Sequence, residues 1–547
     1  MKISQTLLLF LSFFPILYCE FKEEQEARIR INGLNKWEID PQPSEEYLYI
    51  ATAYYSPGIN ESGWDFLSIT TNNQFSDELQ AEAAGRLEAR LTKNKIFTHY
   101  KNMLSTAGHL KNETAQFFKR QEEFLLSKKD EYKSDSILYN AYLLYLQFKG
   151  LRDQYNEDAE KDETIEIIDD VEFNVMNSFG DVFDINSKYN RPSFDKMDKE
   201  EIYNYFLLNN HCSAIFKLKY DLSDIFFGHN SWYYSNMMTK MFKEYNLNFN
   251  HDSIKTHNVM FSSYPGSIVS NDDFYFTSTG LVVIETTNAN YNESSYDLIN
   301  EESLLCWQRV QISNRMSGSA KEWTETFAIY NSGTYNNQYM VLDTKKIEIG
   351  NITKIPDNTL MIIEQMPGFI EANDVTNHLK FGYWPSYNVP YSKNISDYAN
   401  VTNTINSKPE RNMKLYSQYN SCSRAKIMRR DQNKIHDIES MKDFMQYNDY
   451  LNDPFSEGEP AESIAARYDL REKNPKCYGA YDTKLSSVQE IKKSDKKSIY
   501  LYCGPTRKVE PFFNFNCDAC KNVTHEGIPD EPYFEWIIFN NKFNFDE

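Results

Sequence analysis

NNHCSAIFKLKYD, residues 209–221, poses the fold question. If the run is a strand, Cys212, Ala214, Phe216, Leu218 and Tyr220 share one face, because side chains along extended backbone repeat with period two. It follows a long acidic and polar stretch, so the strand begins abruptly, at a thiol. One reading is a small buried hydrophobe at a strand start, the frequent case for cysteine. The other gives the thiol's place at the head of the strand a chemical purpose.

That purpose depends on the peptide bond before it. Cleavage between His211 and Cys212 would leave Cys212 with both a thiol and a free α-amine. Such an amine has a pKa of about 7.7–8.0 in model peptides, close to working pH. It can act as general base beside its own nucleophile, the N-terminal nucleophile arrangement.

Upstream, Leu79, Ala83, Leu87 and Leu91 recur at four-residue spacing, which predicts an amphipathic helix over 77–105. Two more helices are expected over 115–127 and 136–154. Composition then shifts: Glu157, Asp158, Glu160, Asp162, Glu163, Glu166, Asp169, Asp170 and Glu172 stand against Lys161 alone. The stretch to Asn210 reads as an exposed linker rather than a surface helix. Downstream, 212–220, 281–287 (LVVIETT) and 338–343 (QYMVLD) read as strands. Between the first two, Trp232, Met238, Met241, Phe242 and Tyr245 suggest a helix over 232–245. Helices in one part and strands in another predict an α+β or layered α/β fold.

Composition limits the partners. A net charge of -21 argues against nucleic acid, which needs clustered Lys and Arg, and against electrostatic docking on anionic membranes. Met1-Lys2 followed by the apolar run Leu7–Leu17 has the layout of a secretory signal peptide over 1–19, too short for a membrane span. Sequons at Asn60, Asn112, Asn292, Asn351, Asn394, Asn400 and Asn522 fit a secretory route. In an oxidising compartment Cys306, Cys422, Cys477, Cys503, Cys517 and Cys520 can pair, leaving Cys212 as the odd thiol. Cys517-Asp-Ala-Cys520 reads as a local pair, with Cys477 and Cys503 the next candidates. There is no G-x-S-x-G, HExxH, P-loop or GxGxxG motif, so no metal or cofactor is assigned.

Long stretches carry a family resemblance: NRMSGSAKEWTETFAIYNSGTYNNQYMVLD (314–343), DELQAEAAGRLEARLT (77–92), CSAIFKLKYDLSDIFFGHNSW (212–232) and SYPGSIVSNDDFYFTSTGLVVIETTN (263–288). So do MIIEQMPGFIEANDVT (361–376), RAKIMRRDQNKIHDIESMKDFMQYNDYLNDP (424–454) and IAARYDL (464–470). In order and over most of the chain beyond residue 75, the sequence resembles the phospholipase B-like family of secreted and lysosomal proteins. The resemblance implies an N-terminal nucleophile hydrolase with a four-layer αββα sandwich, processed before a cysteine. Carried onto this sequence, the nucleophile is Cys212 and cleavage follows His211. The segment 156–211 is then a processing segment, and 20–155 and 212–547 form one composite domain.

The remaining site residues are expectations. His229 and Trp232, in GHNSW, stand where the resemblance places pocket residues; a satisfied core histidine is the bland alternative. Thr286 and Thr287 end a strand from which a hydroxyl can reach the site. Among Asn331, Asn336 and Asn337, Asn337 is favoured as an oxyanion donor, since amides bind developing charge without titrating; turn chemistry is the alternative. Arg430, in Arg429-Arg430-Asp431, is a candidate for charge pairing beside the site, or a structural salt bridge. The expected substrate is the acyl ester of a glycerophospholipid, with an acylated amine or peptide as the close alternative. The rival of another class is a non-catalytic lipid-binding glycoprotein, and a homodimer is left open.

Overall fold

The computed structural model describes residues 25–540, apart from 109–110, 195, 209–210, 351, 408–417 and 494–496. The segment expected to be a signal peptide, Cys19 and Asn351 lie outside the described residues.

Among the described residues, two sheets organise the chain. The larger has eleven strands, in the order Phe369–Asp374, Leu360–Met366, Asn337–Asp343, Leu281–Thr287, Phe274–Thr277, Asn258–Ser263, Lys240–Asn246, Trp64–Thr71, Ala51–Ser56, Gln25–Ile31 and Trp37–Asp40. Every pairing in it is antiparallel except one: Trp64–Thr71 runs parallel to Lys240–Asn246, joining the N-terminal strands to the rest. The smaller sheet runs Tyr383–Ser386, Cys212–Leu218, Ile225–Tyr234, Asp482–Ser487, Ser498–Cys503 and Ile537–Asn540, with Tyr478–Ala480 added against Ile225–Tyr234.

The expected strands are present, Cys212–Leu218, Leu281–Thr287 and Asn337–Asp343, and so are the three upstream helices, Asp77–Ala107, Asn112–Ser127 and Ser136–Ala159. Ser76 caps the first of these, its hydroxyl accepting from the Leu79 N–H at 3.4 Å, with Asp77 and Glu78 favourably placed in the first turn. This helix packs on strands of the large sheet and closely against Ser136–Ala159. A Cβ at Gly85 would stand 1.9 Å from the Gln147 carbonyl oxygen, so only glycine allows that approach.

Alternation along Cys212–Leu218 divides two apolar clusters. Ala214, Phe216 and Leu218 join the main core, where this strand packs against Leu281–Thr287 of the large sheet. Ile215 points the other way, into a second cluster with Phe226, Met428, Met441 and Met445, the three methionines coming from the helices Ser423–Asp431 and Ile438–Met445. Tyr220 does not share the buried face: the strand ends at Leu218, and Tyr220 is 95% exposed in the turn beyond it.

Three expectations need correction. The helix expected over 232–245 is instead the end of strand Ile225–Tyr234, a 3-10 turn Ser235–Met237 and strand Lys240–Asn246. These strands are buried on both faces, so apolar residues fall at helical spacing without a helix. Residues 156–211 are not an exposed linker: they hold the helices Asp170–Asn177, Phe179–Tyr189 and Lys199–Leu208, with Phe173, Met176, Ile185 and Ile202 buried. Nor do Cys517 and Cys520 pair. Cys477 and Cys520, with Cα atoms 4.8 Å apart, form a disulfide, while Cys212, Cys306, Cys422, Cys503 and Cys517 are free. Cys212 is therefore not singled out by elimination. Among the described residues no helix is long and apolar enough to cross a membrane.

Candidate active site

Cys212 is buried at the head of its strand, opposite Ser231 in register. The carbonyls on either side of its Cα are both held. The Trp232 N–H donates to the His211 oxygen at 2.5 Å, and Arg424 Nη1 donates to the Cys212 oxygen at 2.5 Å. Arg424 also donates to Ser213 Oγ at 3.2 Å, the Tyr387 oxygen at 2.8 Å and Asn388 Oδ1 at 2.7 Å, and lies 4.3 Å from the Trp232 ring centroid. A planar guanidinium suits this multiple bracing.

The Cys212 thiol faces Glu285 Oε1 at 3.9 Å, from the strand Leu281–Thr287 of the opposite sheet. Ligand atoms of Cys212, His229 and Glu285 lie within 4.8 Å of one another. Burial, and then the Glu285 carboxyl, push the Cys212 thiol well above its ordinary range. Burial and then Asp273 push Glu285 up as well, and burial and then Lys484 push His229 well down. In each case burial, the largest cause, favours the uncharged form.

Glu285 accepts from the Tyr335 hydroxyl at 3.1 Å. In the amide orientation that satisfies its neighbours, Asn337 donates to Glu285 Oε2 at 3.1 Å and Thr287 Oγ1 at 3.3 Å. Beside Ser231 sits a fully buried charge cluster. Asp272 accepts from Ser231 Oγ at 3.0 Å and Lys484 Nζ at 2.9 Å and also pairs with Lys240, while Asp482 accepts from the Ser231 N–H and from Lys484, both at 2.9 Å. Burial raises the Asp272 carboxyl, but Lys240 and Lys484 outweigh it and hold the group well below the usual carboxylate range. The two cations and two anions offset one another, as a buried set must.

A cavity opens in front of Cys212, lined by Trp232, Tyr233, Tyr264 and Tyr335 with polar groups from Asn271, Asn288 and Asn336. Met176, Phe179, Phe183, Asp184 and Tyr205, all from the segment expected to be a linker, form another part of its wall. A Cβ at Gly180 would stand 2.3 Å from the Tyr335 ring, so glycine lets the helix Phe179–Tyr189 reach that side chain. Apolar walls with a few convergent polar groups are the usual make-up of a small-molecule site.

The expected residues divide. Trp232 and Thr287 line the cavity with Cys212 and His211, and His229 lies behind the thiol. Asn337 is spent on Glu285 and Thr287, whereas Asn336 lines the cavity. Arg430 is not brought to Cys212. It pairs with Asp431 at 2.6 Å and Asp453 at 2.8 Å and also contacts Tyr447, a part-exposed structural cluster. The arginine at the site is Arg424. Glu285 is the residue that sequence reasoning misses, although an ionisable residue inside LVVIETT is itself a signal, since an acid in an apolar strand must find partners. Of the sequons, Asn60, Asn112, Asn394 and Asn522 are exposed; Asn292 and Asn400 are half-buried, and Asn292 donates its amide to the Tyr398 oxygen at 2.9 Å.

Fold and site together define a mixed α/β protein of two large sheets, centred on a buried cysteine beside a part-apolar cavity. The chain belongs to the Phospholipase B family, whose model matches residues 51–539. Phospholipase B-like protein D of Dictyostelium discoideum is 34% identical over 98% of this chain and 97% of its own length. Phospholipase B of Crotalus adamanteus is 35% identical over 89% of this chain and 88% of its own, and human Phospholipase B-like 1 is 34% identical over 89% and 86%. The solved structure of a mutant conjugated bile acid hydrolase from Clostridium perfringens aligns with 60% of this chain and 97% of its own at 11% identity and a TM-score of 0.31, a likeness that bears no weight.

Proposed function

We propose that the protein is an acyl hydrolase whose nucleophile, Cys212, is freed by cleavage of the His211–Cys212 bond. The observation that carries this is the Trp232 N–H on the His211 carbonyl at 2.5 Å, beside a thiol that faces a cavity. A donor on that oxygen stabilises the oxyanion formed when the thiol attacks the carbonyl carbon. In the cleavage step the Cys212 S–C bond forms, the bond to the Cys212 nitrogen breaks, and that nitrogen takes the thiol proton. Water then hydrolyses the thioester, leaving a carboxylate on His211 and a free thiol and amine on Cys212.

In the mature enzyme the α-amine accepts the thiol proton, and the thiolate attacks the acyl carbonyl of the substrate. The amine passes the proton to the leaving group, and water releases the fatty acid. The family name and the apolar wall support acyl esters of glycerophospholipids as substrates, with acyl amides served by the same tetrahedral intermediate. The same reading takes the layering as an αββα sandwich of the N-terminal nucleophile type, and the route as secretory, with glycans on the exposed sequons.

The test is intact mass and N-terminal sequencing of the expressed chain beside Cys212→Ala, followed by assay of fatty-acid release from a diacyl glycerophospholipid and an acyl amide. A wild-type chain starting at Cys212, with the variant uncut, is the expected result. A wild type never cut before Cys212 overturns the reading.

A further inference from the structure

The Cys212, His229 and Glu285 side chains converge from three strands of the two-sheet core. Cys212 and His229 come from neighbouring antiparallel strands: Cys212 is opposite Ser231, and His229 lies two residues along from it, hence on the same face. Glu285 comes from the facing strand of the other sheet. Their ligand atoms, a sulfur, a ring nitrogen and a carboxylate oxygen, all lie within 4.8 Å of one another. Neither ring nitrogen of His229 makes a hydrogen bond of normal geometry, although the residue has no exposed surface. Its ring has only a backbone contact with Glu285, and a buried imidazole so weakly engaged is costly unless something else occupies it.

We propose that Cys212, His229 and Glu285 form a binding site for a thiophilic divalent cation such as zinc, which holds the Cys212 sulfur in an inactive state. Bond lengths at zinc put donor atoms of a tetrahedral site about 3.4–3.6 Å apart, so closing this set takes movements of about 1 Å. Thiolate, imidazole and carboxylate are the donors zinc prefers, and the two negative charges among them neutralise the ion. The adjacent Lys484 is already matched by Asp272 and Asp482, so it does not repel the ion unopposed. Cys212 faces the cavity, which supplies both an entry path and room for water as a fourth ligand. A cation there engages the sulfur needed for attack on any acyl group. The inhibition therefore rests on the hydrolase reading, whereas the binding itself does not.

Cobalt(II) is the probe, because a thiolate ligand gives it a charge-transfer band and tetrahedral coordination gives it strong visible bands. The full-length chain, with the Cys477–Cys520 disulfide intact and Cys517→Ser to remove the half-buried thiol, is titrated with cobalt and then with zinc as competitor. One equivalent bound with both spectral features is expected. Cys212→Ser should lose the charge-transfer band, and His229→Gln and Glu285→Gln should each weaken binding by more than the ~10–100-fold that an outer-shell partner costs. The glutamine variants keep polar volume; circular dichroism of each guards against misfolding. Binding unchanged by all three variants, or no stoichiometric binding, overturns the site. Cation binding in a chain never cut before Cys212 leaves the site standing and sinks the hydrolase reading instead.

Discussion

The Trp232 N–H and the His211 carbonyl meet at 2.5 Å, across the bond that leads into Cys212. This contact is made by backbone, so it survives a change of side chain. Trp232→Phe should therefore be cut after His211 to nearly the wild-type extent, while Cys212→Ala should stay uncut. Mass spectrometry of both chains over a time course separates the two, and a failure of Trp232→Phe to be cut would shift the role to the indole.

Arg424 braces the strand from the opposite side, with four hydrogen bonds to the Cys212 oxygen, Ser213, Tyr387 and Asn388. Arg424→Ala strands several buried acceptors, at a cost of about 3 kcal/mol or more. Arg424→Lys should recover little, because a point cation cannot span the same set. Arg430→Ala, by contrast, removes only a part-exposed cluster and should leave cleavage intact. Urea unfolding and N-terminal sequencing of the three variants check this.

Glu462 is buried within the electrostatic reach of Arg424, Glu459 and Arg471, and burial lifts its carboxyl to about 7. A carboxyl whose folded pKa lies above its unfolded value of about 4.3 favours folding when protonated, so its contribution is lost as pH rises through about 7. Glu462→Gln should therefore gain stability relative to wild type between about pH 6 and about pH 8, with the gap widening toward the alkaline side. Chemical unfolding at the two pH values measures it. A gap that stays the same at the two pH values would show Glu462 to be already charged in the native state at about pH 6.

The disulfide closes a separation of 43 residues between Cys477 and Cys520. Cys477→Ser should cost about 2–4 kcal/mol, whereas Cys517→Ser should cost little. Non-reducing peptide mapping must find the 477–520 linkage in the Cys517→Ser chain. In the wild type, a 517–520 linkage would refute the pairing.

What is legible in the sequence follows from geometry. Cys212–Leu218 and Leu281–Thr287 announce themselves as strands through β-branched and aromatic residues, and Leu79, Ala83 and Leu87 announce a helix by period. Residues 232–245 mislead because strands buried on both faces lose the polar half of their alternation, so Met238, Met241, Phe242 and Tyr245 match helical spacing by accident. At the site, Cys212, His229 and Trp232 are close enough in sequence to be read together. Glu285 and Arg424 are not, since they arrive through tertiary packing from a facing strand and a distant helix. Local charge density favours Arg430 over Arg424, yet such density marks solvated clusters more often than buried braces. Adjacency favours pairing Cys517 with Cys520, yet it is Cys477 that packs against Cys520.

The parallel pairing of Trp64–Thr71 with Lys240–Asn246 lies across the proposed cut, with one strand on each side of it. A cut after His211 would leave two polypeptides sharing a single sheet, so they would co-elute under native conditions and part only in denaturant. From that moment unfolding would also be dissociation, and stability would acquire a dependence on protein concentration that the uncut chain lacks. Renaturation would then require two partners to find each other, so the precursor's fold would be one the mature molecule can keep but not readily regain.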